Sequence, residues 1–410
     1  MYRKAKLPSF VGFVGVIAIL IAFAQPTAGQ SARCDKNYVF HFAKTWLVLP
    51  TAKDDTANLQ CAFNHAVTRK GSTVLLSAGT FHTGQVAVSG FAGSFRGVGM
   101  NETVIKTLDR ALQVTPLDFF LNPPSPESGS NPWPSIFAFV GGDIAISDLS
   151  LYATKNSGTT GWTFTGLGII VYELAHGFVF VGSEVPVQNY REANATLHHV
   201  RIEGLQRAGT LYGFNLINAT FYEGFLGADT LPLRGKFDVH DSRFRQVGGT
   251  NLYNLFDSHV SITRNTYRDS MEGMDAGYLS NTTYEYADNK TLNISLGAVL
   301  GGVYLYGSFD TSSILLKDNV FTGADGPYFD DAISFSGDMK CQLLKNGVEH
   351  VTDVGIYLGT GTRDCMVVCK AHDDTVENLG TDNKLIGCQE VAVGKTLKKD
   401  VSPNMLYRRP

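Results

Sequence analysis

The segment "GSTVLLSAGTFHTGQVAVSGFAGSFRGVGMNETVIK" (Gly71–Lys106) consists of short β-branched runs that are separated by closely spaced glycines. Each run holds only a few residues, which is too short for a helix. Apolar residues alternate within the runs, as they do in strands. The segment therefore predicts several short strands that are connected by tight corners.

Similar segments recur over the rest of the chain. Each has alternating apolar residues followed by a small polar residue, and the central apolar positions are Ile146, Leu197, Val239, Ile262, Leu316 and Leu344. The intervals between these positions fit one or two units of roughly 21–28 residues. A unit of this length, with short strands and Asn or Asp corners, predicts one coil of a parallel β-helix. The paired helices of ankyrin, TPR or HEAT repeats and the leucine-rich pattern are absent from the sequence.

The stretch "DDTANLQCAFNHAVTRKGSTVLLSAGTFHTGQVAVSGFAGSFRGVG" (Asp54–Gly99) resembles the amino-terminal cap and first coils of the right-handed parallel β-helix, or pectin lyase-like, superfamily. The likeness lies in a D-x-T-x-x-L-Q-x-A helix followed by a G-x-x-V-x-L-x-x-G-T-F strand pair, and it extends over roughly residues 50–390. It implies an all-β fold, a single-stranded right-handed parallel β-helix solenoid with an N-terminal capping helix.

The proposed capping helix has the pattern that such a cap needs. Leu59, Phe63 and Ala66 fall on one helical face, and Asp55 or Thr56 can serve as its N-cap. A β-helix ends in an open apolar coil with unpaired strand edges. We therefore expect this helix to cover the first coil.

The first residues predict export of the protein. Arg3, Lys4 and Lys6 precede a continuous apolar stretch, Phe10–Ala24, which ends in a small-x-small cleavage sequence. A membrane anchor is the alternative, although a span needs about 20 apolar residues. The predicted organisation is a signal peptide (1–24), a lead-in (25–50), a β-helix (51–392) with long loops at 110–135 and 155–195, and a tail (393–410). The expected location is extracellular, or the periplasm in a bacterium.

Six cysteines follow the predicted signal, and an even number in an exported chain predicts disulfides. Cys34 and Cys61 form the natural amino-terminal pair. Cys341, Cys365 and Cys388 follow one another at intervals close to one predicted coil, so we expect the carboxy-terminal cysteines to lie on one face in stacked coils. The spacing does not match a zinc site.

The charge of the chain argues against nucleic acid as a partner. The formal net charge is −4, and no basic patch stands out in the sequence. No stretch after the predicted signal is long and apolar enough to span a bilayer, so we expect no membrane partner after cleavage. No cofactor motif is present and no cofactor is required by the predicted chemistry.

The richest acidic segment, Gly307–Asp338, supplies the predicted catalytic residues Asp310, Asp330 and Asp331. Asp310 precedes the Asp330–Asp331 pair by close to one predicted coil, and neighbouring carboxyls of this kind can act as acid and base. The pattern resembles polygalacturonase-type hydrolases, with Val354 where their histidine stands. In one alternative, Asp330 and Asp331 are ordinary turn residues that precede a strand of one coil. In another, Asp325, Asp330 and Asp331 form a Ca²⁺ site.

Four residues are predicted to contact substrate. Trp133 and Tyr328 could stack on sugar rings. In the alternative, Trp133 packs against its own loop and stabilises it. Asp238 and His240, in "FDVHDSRF", should point outward together, and this element resembles the D-P-H-D element of alginate epimerases and lyases. We expect an exported carbohydrate-active protein, a polysaccharide hydrolase or lyase acting on an acidic or cell-wall glycan. The alternatives are a non-catalytic glycan-binding or surface β-helix, and an epimerase-like activity.

Overall fold

The computed structural model describes residues 34–84, 86–108, 135–152, 162–164, 170–172, 174–181, 183–185, 190–204, 211–216, 233–247, 249–270, 273–294, 303–306, 312–323, 332–335, 340–350, 354–370 and 375–391. The predicted signal peptide and carboxy-terminal tail lie outside these residues, as does nearly all of the predicted loop at 110–135. Within the described part of the chain, no helix has the length and apolarity that a membrane crossing requires.

The described chain contains one helix, α1 (Thr56–Ala66), and many short strands. The strands are β1 (Val39–Phe42), β2 (Thr45–Val48), β3 (Ser72–Leu76), β4 (Gly79–Thr83), β5 (Val86–Ser89), β6 (Ala92–Arg96), β7 (Thr103–Thr107), β8 (Ser135–Val140), β9 (Asp143–Tyr152), β10 (Trp162–Phe164), β11 (Ile170–Tyr172), β12 (Leu174–Val181), β13 (Ser183–Val185), β14 (Tyr190–Glu192), β15 (Asn194–Glu203), β16 (Leu211–Leu216), β17 (Leu233–Arg234), β18 (Lys236–His240), β19 (Arg243–Arg245), β20 (Thr250–Phe256), β21 (His259–Thr263), β22 (Thr266–Arg268), β23 (Met274–Ser280), β24 (Thr283–Ala287), β25 (Lys290–Ile294), β26 (Val303–Tyr306), β27 (Ser313–Lys317), β28 (Val320–Gly323), β29 (Ile333–Phe335), β30 (Cys341–Leu344), β31 (Gly347–Glu349), β32 (Ile356–Leu358), β33 (Met366–Val368), β34 (Thr375–Asn378), β35 (Lys384–Ile386) and β36 (Gln389–Val391).

These strands stack as coils of a right-handed parallel β-helix, which confirms the predicted fold class. Most coils contribute one strand to each of three faces, and strands of successive coils pair in parallel. The last two described coils, which contain β33 and β35, have no strand in the second face. The first face contains β3, β6, the first half of β9 and of β15, then β18, β21, β24, β27, β30, β33 and β35. The second face contains β4, β7, the second half of β9 and of β15, then β19, β22, β25, β28 and β31. The third face contains β5, β8, β12, β16, β20, β23, β26, β29, β32, β34 and β36.

Two predicted boundaries gain detail from the strand pairing. The lead-in contains the antiparallel hairpin of β1 and β2, and β2 pairs in parallel with β3, so the hairpin extends the first face. The segment 155–195, expected as a long loop, contains β12, which pairs with β8 and β16 in the third face. Part of that segment is therefore a coil strand.

The helix α1 covers the first coil, as the sequence predicts. Leu59, Phe63 and Ala66 are buried together with Cys61 and Ala62, and they pack into the continuous apolar core of the solenoid. Covering the open end in this way removes apolar surface and strand edges from water.

Asp55 occupies the N-cap position of α1, yet its carboxylate does not cap the helix. Its two oxygens accept hydrogen bonds from the backbone of Thr51 (2.7 Å) and of His82 (2.8 Å). The Thr56 hydroxyl accepts a hydrogen bond from the Gly84 amide at 2.7 Å, while the Thr56 amide donates to Asp54. The side chains of Asp55 and Thr56, the two predicted N-caps, therefore hydrogen-bond to the backbone at the end of β4 and hold α1 against the first coil.

In the five successive coils from β18 to β30, the corner between the first and second faces has the same two-residue design. The first corner residue has a left-handed backbone conformation, and in successive coils it is Asp241, Arg264, Asp288, Asp318 and Lys345. Asp tolerates this conformation because its short side chain bonds locally, and the same geometry lets each corner amide reach the carbonyl of the next coil. Its second residue is buried and polar, and in successive coils it is Ser242, Asn265, Asn289, Asn319 and Asn346.

The four asparagines form a continuous buried ladder along the solenoid. The Asn289 Oδ1 accepts hydrogen bonds from the backbone amide of Asn265 at 2.9 Å and from its Nδ2 at 3.2 Å. The Asn289 Nδ2 donates to the Ile262 carbonyl at 2.8 Å and to Asn319 Oδ1 at 3.2 Å. Each rung thus satisfies buried polar groups of the neighbouring coils.

Three disulfides join the six cysteines. Cys34–Cys61 ties the lead-in to α1, and Cys341–Cys365 joins adjacent coils. Both carboxy-terminal disulfides join stacked coils beside the first face, but Cys388 pairs with Cys369 and is not aligned with Cys365. The reason is a short coil: Met366 of β33 pairs with Lys384 of β35, so the residue aligned with Cys365 precedes Lys384. Cys388 lies well beyond that aligned position.

Candidate functional site

The residues predicted for the site divide into two groups. The carboxylates Asp310, Asp325, Asp330 and Asp331 lie outside the described residues, and so do Trp133 and Tyr328. Asp238 and His240 lie on β18 in the first face. The described site must therefore be built from β18 and its neighbours.

The coil that carries the predicted carboxylates is longer than the sequence spacing suggests. Val303 of β26 pairs with Ile333 of β29, and this step along the chain exceeds the interval from Asp310 to Asp330 or Asp331. The predicted alignment of the three carboxylates assumed that their interval equals one coil. Their catalytic role stays a prediction.

Alternation along β18 turns Asp238 and His240 outward. Phe237 and Val239 are buried in the core, whereas Asp238 and His240 are half-buried at the surface. The parallel register places His198 of β15 directly beside His240. The two imidazole rings stack, with centroids 5.2 Å apart and planes 4° from parallel.

The adjacent corner adds charged groups to this pair. The Asp241 carboxylate accepts a hydrogen bond from His240 Nδ1 at 2.8 Å and a bidentate pair from Arg264, at 2.9 Å from Nε and 2.7 Å from Nη2. The neighbouring corner brings His199 Nδ1 to 3.6 Å from Asp148 and 3.4 Å from His198 Nδ1. We call this group the histidine patch: Asp148, His198, His199, Asp238, His240, Asp241 and Arg264.

The patch sets different protonation states for its members. Partial burial lowers the pKa of His198, and the nearby His240 and His199 lower it further against the opposing effect of Asp148 and Asp238. The hydrogen bond from Arg264 is the main cause that lowers the pKa of Asp241, with a further contribution from His240. At neutral pH, His198 is therefore neutral and Asp241 is ionised.

The geometry fits acid–base chemistry at an open surface. Because ionised Asp241 accepts from His240 Nδ1, that nitrogen carries its proton, and Nε2 is left to exchange protons with a ligand. His198 is neutral and can accept a proton. The stacked rings hold these two groups side by side on adjacent coils, and the Asp241–Arg264 pair fixes the orientation of His240.

Asp148, His198, His199 and Arg264 were not predicted from the sequence, although a signal for the histidines was present. "ATLHHVRI" and "KFDVHDSRF" align through Leu197 and Val239, which are in register in the structure. That alignment places His198 opposite His240 and His199 opposite Asp241. Because aligned residues of successive repeats are neighbours in a β-helix, this alignment predicts the stacked pair of His198 and His240.

We expect the pKa of His198 to lie below the ordinary histidine value of 6.5 and to rise when His240 is replaced by glutamine. Since the folded state favours neutral His198, the stability that this group contributes is present above pH 6.5 and is lost as pH falls toward its lowered pKa. NMR titration of the imidazole carbon protons measures the value. Asp148→Asn, which removes a group that raises this pKa, should shift it in the opposite direction. A pKa of 6.5 or higher, or one that His240→Gln leaves unchanged, would contradict the assignment.

Comparisons with known proteins found similar solved structures but no matching family. No protein-family model matches the chain, and no curated protein sequence matches it. The solved A-module of the Azotobacter vinelandii mannuronan C-5 epimerase AlgE4 is 14% identical with a TM-score of 0.39, and the match covers 84% of this chain and 95% of that one. The Agl-KA catalytic domain is 16% identical with a TM-score of 0.44, covering 86% and 69%. Polygalacturonase from Erwinia carotovora is 11% identical with a TM-score of 0.38, covering 87% and 96%. At these values the likeness gives no argument about activity, and the fold rests on the strand register described above.

Proposed function

We propose that the chain is an exported β-helix protein that acts on a polysaccharide, with the histidine patch as its acid–base site. The observation that carries this proposal is the stacked pair of His198 and His240 on the outer surface of the first face. A neutral imidazole beside one that is held by an ionised carboxylate supplies a base and an acid in neighbouring coils. A long flat face also admits a polymeric substrate, which an enclosed pocket would exclude.

The reaction that fits best is β-elimination in a uronic-acid polymer. One imidazole removes the proton from the sugar carbon next to the carboxylate, and the electron pair forms a carbon–carbon double bond. The glycosidic C–O bond at the neighbouring carbon breaks, and the second imidazole, in its doubly protonated form, gives the proton on its Nε2 to the leaving oxygen. The products are one unsaturated chain end and one ordinary chain end, so atoms and charge balance without a cofactor.

Hydrolysis by Asp310, Asp330 and Asp331 is the second candidate, since paired carboxyls are the usual acid and base of glycosidases. The two reactions differ in their products. Elimination produces ultraviolet-absorbing unsaturated ends, whereas hydrolysis produces only new reducing ends. A non-catalytic glycan-binding protein would produce neither.

The test is a panel of acidic and neutral polysaccharides, assayed for both kinds of chain end. We expect unsaturated ends from an acidic polymer, with a loss of about a hundredfold in rate for His198→Gln and for His240→Gln. Ser261→Ala is the matched control, because Ser261 lies on the same face in register with Asp238 and takes no part in the patch. Full activity in both histidine variants would overturn the proposal. A loss in Asp331→Asn with retained activity in the histidine variants would move the site to the carboxylates.

A further inference from the structure

The second face carries a line of cations that no local stretch of sequence reveals. Between β7 and β25, two columns of in-register positions point away from the core. The first column is Val104, Ser150, Arg201, Arg243, Thr266 and Lys290, and the second is Lys106, Tyr152, Glu203, Arg245, Arg268 and Leu292. We call the six cations of these columns the basic strip: Lys106, Arg201, Arg243, Arg245, Arg268 and Lys290.

Two pairs within the basic strip set like charges directly opposite each other. Arg201 pairs in register with Arg243, and Arg245 pairs with Arg268. Like charges at paired positions of neighbouring strands destabilise a sheet. The arrangement therefore favours an anion that lies across several coils and relieves this repulsion.

Two carboxylates neutralise only part of the strip. Glu203 lies 3.8 Å from Arg201, and Asp269 lies 3.0 Å from Arg245 and 3.9 Å from Arg268. Among the residues that the structure describes, Arg243, Lys290 and Lys106 have no ion-pair partner. The strip thus has an excess of positive charge on a chain whose formal net charge is −4.

We propose that the basic strip binds a linear acidic polysaccharide along the axis of the solenoid. Strands of neighbouring coils lie about 4.8 Å apart, so the six coils from β7 to β25 span about 24 Å. The two columns are about 7 Å apart, since alternate residues of a strand point the same way. A narrow line of these dimensions fits one extended chain with repeated carboxylates, whereas an anionic membrane would contact a broad patch.

Arginine suits this partner for a chemical reason. Its planar guanidinium presents donors that match a carboxylate in bidentate fashion, and four of the six cations are arginines. The choice of a polysaccharide as the polyanion rests on the proposed function. The binding surface itself rests on the register and charges of the second face.

The test is affinity electrophoresis of the full chain through gels that contain polygalacturonate, alginate or neutral dextran. We expect retardation by the acidic polymers only, weakened roughly tenfold between 50 and 200 mM salt. Arg243→Gln combined with Arg268→Gln should weaken binding roughly tenfold. Its thermal midpoint should be unchanged or higher, because the double variant relieves repulsion. The matched control is Lys317→Gln with Lys384→Gln, two exposed lysines of the first face.

The outcomes separate this inference from the proposed function. Equal binding by the double variant, equal retardation in dextran, or tighter binding to single-stranded DNA or to anionic vesicles would overturn the basic strip as a polysaccharide site. Failure of the acid–base proposal would instead be seen as absent turnover, with polygalacturonate or alginate binding intact and still sensitive to the double variant. Support for both requires that the histidine variants lose turnover of the acidic polymer and retain binding to it.

Discussion

Replacing Asn289 with alanine is expected to lower the free energy of unfolding by about 3–5 kcal/mol. The substitution leaves the buried Asn265 amide without its acceptor and the Ile262 carbonyl without the Asn289 donor, and each unsatisfied buried group costs about 1–3 kcal/mol. It also removes the contact to Asn319, so the ladder is divided into two parts. Thermal or urea unfolding measures the loss.

Asn194→Ala is the control for this prediction. Asn194 is exposed and also makes a bond between coils, since its Oδ1 accepts from the Lys236 amide at 2.8 Å. Its loss should cost about 1 kcal/mol or less, because water replaces an exposed partner. Similar losses in the two variants would show that the buried ladder adds nothing beyond an ordinary bond.

Phe63→Ala should be comparably damaging, with a loss of about 3–5 kcal/mol. Phe63 of α1 packs its ring against the first coils, with ring centroids 5.3 Å from Phe91 and 5.1 Å from Phe95. It also contacts Phe137 and Phe139 of β8. The substitution leaves a cavity between the cap and the solenoid and loosens the cover over the open end.

Phe42→Ala supplies the contrast. Phe42 lies on the adjacent hairpin strand β1 and is 51% exposed, so its truncation should change stability by less than about 0.5 kcal/mol. Size-exclusion chromatography adds an independent measurement, since an uncovered coil edge favours association. A monodisperse Phe63→Ala variant with wild-type stability would show that α1 is dispensable as a cap.

The coil architecture was predictable because its cause is local. Alternating apolar residues, short runs and Asn or Asp corners recur in each unit, and they specify strand and corner without knowledge of distant contacts. The helical face of Leu59, Phe63 and Ala66 was predictable for the same reason. The pairing of Cys388 was not, because coil length varies and an average period cannot fix the register of one particular coil.

The sites were harder to predict because stacking makes neighbours of residues that are far apart in sequence. Asp238 and His240 sit within one strand, so alternation alone places them together. His198 reaches His240 only through the pairing of β15 with β18, two strands that are separated by a long stretch of chain. The basic strip was not predicted for the same reason, because its six cations are distributed over residues 106–290. The composition as a whole gives a chain with net negative charge.

The asparagine ladder also constrains the choice of a host for producing the protein. Asn289-Lys290-Thr291 is an acceptor sequence for N-linked glycosylation, and so are the sequences that begin at the exposed Asn101, Asn194, Asn281 and Asn293. The four exposed sequences can carry a sugar on the folded solenoid. Asn289 cannot, because its Nδ2 is buried and bonded to the coils on both sides. An oligosaccharide attached there before the coils close would keep this rung open, so a secretory host that modifies Asn289 would yield chains that cannot finish folding.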